Sequence, residues 1–519
     1  MSLTRRAALA ATLLVPVSLL AQSSARSAAS SIKVGPPRGT VIVVGGGAMG
    51  PEIYSRFIQA AGGPDALIID VPTAGGDSVY TQDAPGTRGW KQAGAKNIYV
   101  LHTTDRTLAD ADSFSAIVAK AGGVWFEGGR QFHLVDSYAG TKTEQAFHDV
   151  LARGGVVGGS SAGASILGSF LVRGAPSNNN FIMDWPGYEK GFGFLRNVGI
   201  DQHVVARERL PDLADSIMPK FPALLGISED EGTAWVVTGD TATIIGRDKA
   251  FVYGGKDATD PGMPFLTLHP GDRYNLATRH VMHRVAASSP VSATLIDSMF
   301  RKYSNPSSGG ATVLVAENGA VFVDRSFGIA AQPRYMPTTT VPQFSVGAIT
   351  DVFTALCSQL PAPPAGRGRG RGAPGADTAA GVRPAGRGRG APPGTPFQQC
   401  VQRQVSTPIG MHKTVANADG AVESSVDELY RLALGLENPR TYAGNSQAPV
   451  TVDYTKGWQS DTYRGMTRWS AFGAPGGKRS AFVRIPDRRA TIIILTRDDS
   501  ADARAMADRI SDRLLSARR

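Results

Sequence analysis

The sequence predicts an α/β fold, a parallel sheet with helices on both faces, followed by a second domain of different pattern. Three observations predict it. Residues 38–255 alternate β-type apolar runs with amphipathic helical stretches, as crossover connections between parallel strands require. Near residue 288 that alternation stops. The chain has 519 residues, 42% of them hydrophobic, which is enough for two cores and too much for one ordinary domain.

Taken in order, residues 1–30 read as an export signal. Arg5 and Arg6 precede the apolar stretch AALAATLLVPVSLLA, and small residues near Ala21 and Ala25 offer cleavage sites. The run LTRRAAL resembles the twin-arginine pattern; a general secretory signal fits the same residues. The expected location is periplasmic or extracellular. TVIVVGG, ALIIDVP, NIYVLHT, VVGGS, GTAWVVTG and TATIIGR read as strands, with PEIYSRFIQAAG and TEQAFHDVLARGG as helices between them. The second domain opens with the helical VSATLIDSMFRKY. ATVLVAEN and AVFVDRSFG follow as two strands joined by a tight Asn318-Gly319 turn. Residues 361–396 form a Pro/Gly/Ala/Arg tract with GRGRGRG and GRGRG, too poor in apolar side chains for a core and expected to be disordered. Folded signal returns near 397 and ends in the strand ATIIILT and the helix ADARAMADRISDRLL. The expected domains are therefore 38–285 and 288–519.

Composition excludes several functions. Two cysteines cannot build a disulfide framework or a Cys-rich zinc module. After residue 30 no apolar run is long enough to span a bilayer. The net charge of +10 is local: residues 1–30 contribute +3 and residues 361–400 contribute +5, leaving +2 for the globular parts. That balance gives no footprint for nucleic acid. RG repeats occur in RNA-binding tails, but in an exported chain a linker is the better reading.

Two glycine motifs compete for the chemistry. Gly45, Gly47 and Gly50 in VIVVGGGAMG satisfy G-x-G-x-x-G between a strand and a helix, with Asp70 placed as a ribose-binding acid would be. This is the pattern of an exported dinucleotide-dependent oxidoreductase, but a lone match is weak and Pro51 follows where a pyrophosphate would sit; a glycine-rich turn that lets strand and helix pack closely is the better reading. Gly159-Ser160-Ser161-Ala162-Gly163 is a G-x-S-x-G at the end of a short strand and the start of a small-residue helix. A serine on so sharp a turn needs glycine on both sides, and the N–H of Ala162 would face a developing oxyanion. A nucleophile needs a base, and the base an orienting acid. Among eight histidines, His203 has the most polar setting, DQHVVARER, which also fits a solvated helix start. His280 and His283 could serve a metal by spacing but lack a third ligand, so they are read as structural.

Together these segments resemble the cyanophycinase and dipeptidase E family of serine peptidases. VIVVGGGAMG, DVPTAGGD, FEGGRQ, GGSSAGAS, DQHVVARER and SEDEGTAWVV follow that family's order over residues 38–255. The resemblance implies a class I glutamine-amidotransferase-like (flavodoxin-like) fold. It makes Ser161 the nucleophile, His203 the base and Glu231 the orienting acid, with Gly129 and Ala162 holding the oxyanion. Gln131, Asp201, Gln202, Arg207 and Arg209 would bind a polypeptide with an aspartate backbone and arginine side chains, the arginines facing carboxylates and the acids facing guanidinium. No cofactor and no metal is implied. The expected partners are that peptide substrate and a second copy of the chain as a homodimer, with neither nucleic acid nor a membrane span. Three departures stand out: Asp212 where the family carries a third arginine, Val204 after the histidine, and Arg130 between glycine and glutamine. A catalytically inactive binding protein is the remaining alternative.

Residues 288–356 and 397–519 resemble the serine β-lactamase and penicillin-binding-protein-like fold in truncated, α+β form. Its Ser-x-x-Lys is missing: GAITDVFTA places Ala348 at the nucleophile and Asp351 at the lysine. WSAFGAPGG stands where His-Thr-Gly or Lys-Thr-Gly belongs, and an inactive module is expected. Cys357 and Cys400 bracket the RG tract, and in an oxidising compartment they are expected to pair; two separate buried thiols are the alternative.

Overall fold

The computed structural model describes residues 33–260, 262–305, 309–328, 343–360, 394–437, 453–473, 480–498 and 500–516. The export signal and residues 361–393 of the RG tract lie outside the described residues.

The first module contains, in chain order, β1 (Thr40–Val44), β2 (Leu67–Val71), β3 (Asn97–Val100), β4 (Gly123–Phe126), β5 (Val156–Ser160), β6 (Gly168–Phe170), β7 (Leu195–Gln202), β8 (Leu225–Glu229), β9 (Thr233–Thr238), β10 (Thr241–Gly246), β11 (Ala250–Tyr253), β12 (Leu266–Leu268), β13 (Arg273–Asn275) and β14 (His280–His283). Nine of these form the central sheet, ordered β14-β13-β10-β9-β1-β5-β4-β2-β3. The strands β1, β5, β4, β2 and β3 pair in parallel. β1 and β4, flanked by strands on both sides, run as nearly continuous apolar stretches because both faces are covered, whereas Asn97 and Tyr99 of β3, at the end of the sheet, are exposed. Along β1, Val41 and Val43 join a core with Phe147, Val150 and Leu151 of the helix Lys142–Ala152. Ile42 and Val44 join the opposite core with Ile53, Phe57 and Ile58 of the helix Pro51–Ala60.

The sheet departs from the expected parallel arrangement beyond β1. β9 runs antiparallel to β1, and β10 antiparallel to β9. For the β9–β10 pair the reason is connection length: only Gly239 and Asp240 separate the two strands, and a parallel crossover needs a dozen residues or more. A second sheet, ordered β12-β11-β8-β7-β6, packs beside the first. The link Asp230-Glu231-Gly232 between β8 and β9 therefore carries the chain from one sheet to the other.

The second module adds β15 (Ala311–Glu317), β16 (Ala320–Phe327), β17 (Phe344–Ser345), β18 (Val415–Ala416), β19 (Val422–Ser424), β20 (Gln459–Tyr463), β21 (Met466–Phe472), β22 (Ser480–Ile485) and β23 (Ala490–Thr496). Six of them make an antiparallel sheet, β16-β15-β23-β22-β21-β20. Asn318 and Gly319 both take positive φ, the backbone of a tight β15–β16 turn. One face of this sheet packs on the helices Thr350–Gln359 and Val426–Glu437, the other on Ala293–Met299 and Ala503–Ser516. Thr395 and Pro396, within the tract expected to be disordered, are part of a helix: Thr395 makes a capping box with Gln398 at the start of Pro396–Cys400. Cys357 and Cys400 form the expected disulfide, with Cα atoms 5.8 Å apart.

Candidate active site

β5, an interior strand, delivers Ser161 to the C-terminal end of the parallel strands, directly after Ser160. Ser161 sits at φ 58°, ψ −116°, outside the regions open to an ordinary L-residue, and such a backbone costs about 1–3 kcal/mol. The flanking glycines are sterically required. A Cβ on Gly159 would lie 2.1 Å from the Gly163 carbonyl oxygen, and one on Gly163 would lie 2.0 Å from that of Phe126. The helix that follows is a single turn, Ala162–Ser165, shorter than its sequence suggested. Its dipole contributes little to the site, and anion stabilisation falls to individual N–H groups.

β7 ends at Gln202, and the next residue, His203, takes φ 56°. Its ring lies between Ser161 and Glu231. His203 Nδ1 is 2.6 Å from Glu231 Oε1, and Nε2 is 2.8 Å from Ser161 Oγ. A carboxylate can only accept, so Nδ1 carries the proton, and Nε2 is bare and accepts from the serine hydroxyl. Burial holds the His203 imidazole below its ordinary pKa, which keeps it neutral and able to take a proton. Burial also acts to raise Glu231, but hydrogen bonds from His203 and His412 outweigh it and hold that carboxyl well below the usual carboxylate range.

The glycine-rich loop after β1 packs onto this set. A Cβ on Gly46, at φ 97°, would fall 2.1 Å from His203 Cε1; one on Gly47, at φ 65°, would fall 2.5 Å from Glu231 Oε2. The G-x-G-x-x-G is thus a close-approach loop for the histidine and the acid. His203 and Glu231 lie directly against the loop's glycines, and Asp70 is fully buried, closed to a ribose. This overturns the dinucleotide reading. Gly128 lies against Ser161, its Cβ position 3.3 Å from that of the serine. Gly129 takes φ 144°, and a side chain there would strike the Ala74 carbonyl oxygen at 2.0 Å. Gly128 therefore borders the serine, and Gly129, next in the chain, packs on the Ala74–Gly75 backbone.

The expected binding residues divide. Asp201 does not face a ligand. Its carboxylate is filled by Arg173, whose Nε and Nη2 each donate at 2.8 Å, and Arg173 also pairs with Asp212 at 2.5 Å. Burial would raise Asp201, but the Arg173 guanidinium outweighs it and lowers the carboxyl. The pairing corrects the expectation that Asp201 meets a substrate guanidinium, because the chain supplies its own. Gln131 is also buried, its amide donating to the Val172 carbonyl. Gln202 is buried with its Oε1 unpartnered. Arg209 is 3% exposed, with Nε and Nη1 lacking a hydrogen-bond partner. Burial and the neighbouring Arg173 push its pKa down to about 10. Arg207 is half-buried in the same segment.

Two neighbours of the site come from the second module, and sequence reasoning missed both. His412 places Nε2 2.7 Å from Glu231 Oε2. Arg431, on the helix Val426–Glu437, pairs with Asp230 at 2.8 Å and with Asp248. Arg173, His412 and Arg431 carry no motif; only the fold brings them in. His280 faces Asp257 at 3.1 Å. Among the described residues no three His, Cys, Asp or Glu side chains group as metal ligands, and no helix is long and apolar enough to cross a membrane.

Comparison with known proteins bears on the same region. The profile of Peptidase family S51 matches residues 41–245. A cyanophycinase of Geminocystis herdmanii is 31% identical over 264 residues, covering 47% of this chain and 96% of the relative. One from Synechococcus elongatus is 30% identical over 272 residues, covering 48% of this chain and 82% of the relative. Among solved structures, a peptidase from an acI-B1 Actinobacterium aligns with 46% of this chain and 97% of its own, at 24% identity and a TM-score of 0.37. At that score the structural likeness carries no weight, and the assignment stands on the sequence relatives. Those relatives are matched over 96% and 82% of their lengths, and this chain belongs to peptidase family S51.

Proposed function

We propose that the first module is a serine peptidase with Ser161 as nucleophile, His203 as general base and Glu231 as orienting acid, working through an acyl-enzyme. The observation that carries it is the unbroken chain of hydrogen bonds from Ser161 through His203 to Glu231, built on a strained strand-to-helix turn. His203 Nε2 takes the hydroxyl proton as Ser161 Oγ attacks an amide carbonyl carbon. The N–H groups of Ala162 and Gly129 receive the oxyanion. The tetrahedral intermediate collapses, His203 gives the proton to the leaving amine, and the C–N bond breaks. Water then adds to the ester, assisted by the same histidine, and releases Ser161.

The substrate class proposed is a polypeptide of aspartate units carrying arginine, cut to β-aspartyl-arginine. The cyanophycinase relatives support it. So does Arg209: a buried guanidinium with two unpartnered N–H groups gains most from a carboxylate. Gln202 offers its unpartnered Oε1 to a donor, and Arg207 adds positive charge at the edge. We place the enzyme outside the cytoplasm, on the strength of Arg5, Arg6 and the apolar stretch after them. We read the second module as an inactive relative of the β-lactamase-like fold, because Ala348 has no nucleophilic atom and Asp351 no amine. The test is hydrolysis of purified multi-arginyl-poly-aspartate by the full chain. Release of β-aspartyl-arginine, lost in Ser161→Ala, supports the reading. Turnover that persists in Ser161→Ala refutes the nucleophile, and cleavage of other peptides alone refutes the substrate.

A further inference from the structure

Glu231 has two carboxylate oxygens and two histidine partners. Oε1 accepts from His203, and Oε2 accepts from His412, which lies 181 residues further along the chain in the second module. The difference matters because a glutamate carboxylate rotates freely about its last torsion, whose profile is broad and two-fold. One hydrogen bond leaves that rotation loose. A second, on the other oxygen, fixes the carboxylate plane and with it the His203 ring.

The segment carrying His412 is held in place from several sides. Gly410 ends the turn Thr407–Ile409 at φ 70°, where a Cβ would fall 2.6 Å from Arg247 Nη2. Its carbonyl accepts from the Arg431 guanidinium. The backbone N–H groups of His412 and Lys413 donate to Glu428 at 3.2 Å each. Arg431 and Glu428 both ride on the helix Val426–Glu437, and Arg431 grips Asp230, the residue before Glu231. One helix thus fixes the backbone on both sides of the His412–Glu231 contact.

We propose that His412 is a positioning residue for this reaction: its Nε2–H pins the outer oxygen of Glu231, keeps the inner oxygen on His203, and makes the second module part of the active site. The proposal rests on the Ser161–His203–Glu231 reading. The charged groups around His412 are Glu231 and Arg247 from the first module, and Glu428, Arg431 and its neighbour Lys413 from the second, with Glu208 paired to Lys413. The hydrogen bond to Glu231 raises the His412 imidazole above its ordinary value, while burial lowers that of His203. Over an interval of pH the first is a cation and the second a neutral base. A cation on the far oxygen draws on the carboxylate charge that would otherwise favour protonated His203, so its removal raises the His203 pKa.

The experiment measures the rate at which a fluorophosphonate labels Ser161 in the full chain, from acid to neutral pH, in the parent, His412→Ala and His412→Gln. Labelling needs no knowledge of the substrate. His412→Ala loses one hydrogen bond to a charged group, so its plateau rate should fall about tenfold, and the acid limb should move to higher pH. His412→Gln restores an N–H donor without the charge. It should recover most of the plateau rate and keep the shifted limb. His412 is 40% exposed, so both variants are expected to fold; if the alanine variant does not, the limb of the glutamine variant decides. Parent-like rates and limb in both variants overturn this inference and leave the proposed nucleophile intact. A slower alanine variant with no shift and no rescue by glutamine also overturns it, by showing a merely structural role. A parent chain that is never labelled at Ser161 overturns the proposed function itself.

Discussion

Replacing Arg431 with leucine should both destabilise the protein and slow the enzyme. The guanidinium side chain is 4% exposed, and the two carboxylates it serves are 0% exposed at Asp230 and 5% at Asp248. Its Nε–H also donates to Asp248 Oδ2 at 3.0 Å. Leucine removes the cation and leaves two buried acids without it, which costs about 3–5 kcal/mol. In domains of this size that corresponds to a fall of about 10 °C in Tm. A second effect follows from Asp230. Its Oδ1 accepts from the N–H groups of Val205 at 3.0 Å and Ala206 at 2.9 Å, two and three residues after His203, and its backbone precedes Glu231. Loosening Asp230 therefore disturbs the proposed base, His203, and the proposed orienting acid, Glu231, together, and turnover should fall with stability. Thermal unfolding followed by circular dichroism, alongside peptide hydrolysis below the transition, reads both. The double variant Arg431→Leu/Asp248→Asn removes one buried charge and should recover part of the lost Tm. A Tm within about 2 °C of the parent with unchanged turnover would refute the claim that this cluster ties the modules to the site.

Further outcomes follow from the same geometry. Gly47→Ala forces a Cβ to 2.5 Å from Glu231 Oε2 at a positive φ, and should cut turnover at least tenfold in a protein that still folds; parent-like turnover would mean the loop yields at no cost. His203 must be neutral to act as base, and burial lowers its pKa, so activity should persist as pH falls and be lost with a midpoint below the ordinary value of about 6.5; a midpoint above it in kcat/KM would contradict the site. Arg209→Leu should raise KM for a carboxylate-bearing peptide more than it lowers kcat, measured by steady-state kinetics, and the reverse pattern would place Arg209 in the chemistry instead. Cys357→Ser/Cys400→Ser opens a link across 43 residues and should cost about 4 kcal/mol in chemical denaturation, and titration of the unfolded, unreduced parent should find no free thiol.

How much of this was readable beforehand differs from residue to residue. Ser161 was visible because its turn imposes a local steric demand, and glycines at 159 and 163 are the only residues that meet it. His203 and Glu231 stand 42 and 70 residues further on; the polar run around His203 marked it as a candidate that a solvated helix start would fit as well, and only the resemblance singled out Glu231. β1, β2 and β5 were legible as continuous apolar runs, but direction is not written in composition. The antiparallel β9–β10 pair looked like two more parallel strands, although the two-residue Gly239–Asp240 link held the answer. Asp201 was misassigned because its partner, Arg173, lies 28 residues upstream in a stretch without a motif. The glycine loop at 45–50 misled for a similar reason: a turn that lets a phosphate approach and a turn that lets His203 approach need the same residue. His412 was invisible, since its role exists only when two modules dock.

The most direct test of the central claim is the mass of the intact chain after reaction with a fluorophosphonate, followed by peptide mapping. The account predicts one adduct per chain, on Ser161, absent from Ser161→Ala and formed far more slowly in His203→Ala. An adduct on another residue, or none from a folded chain, would contradict it.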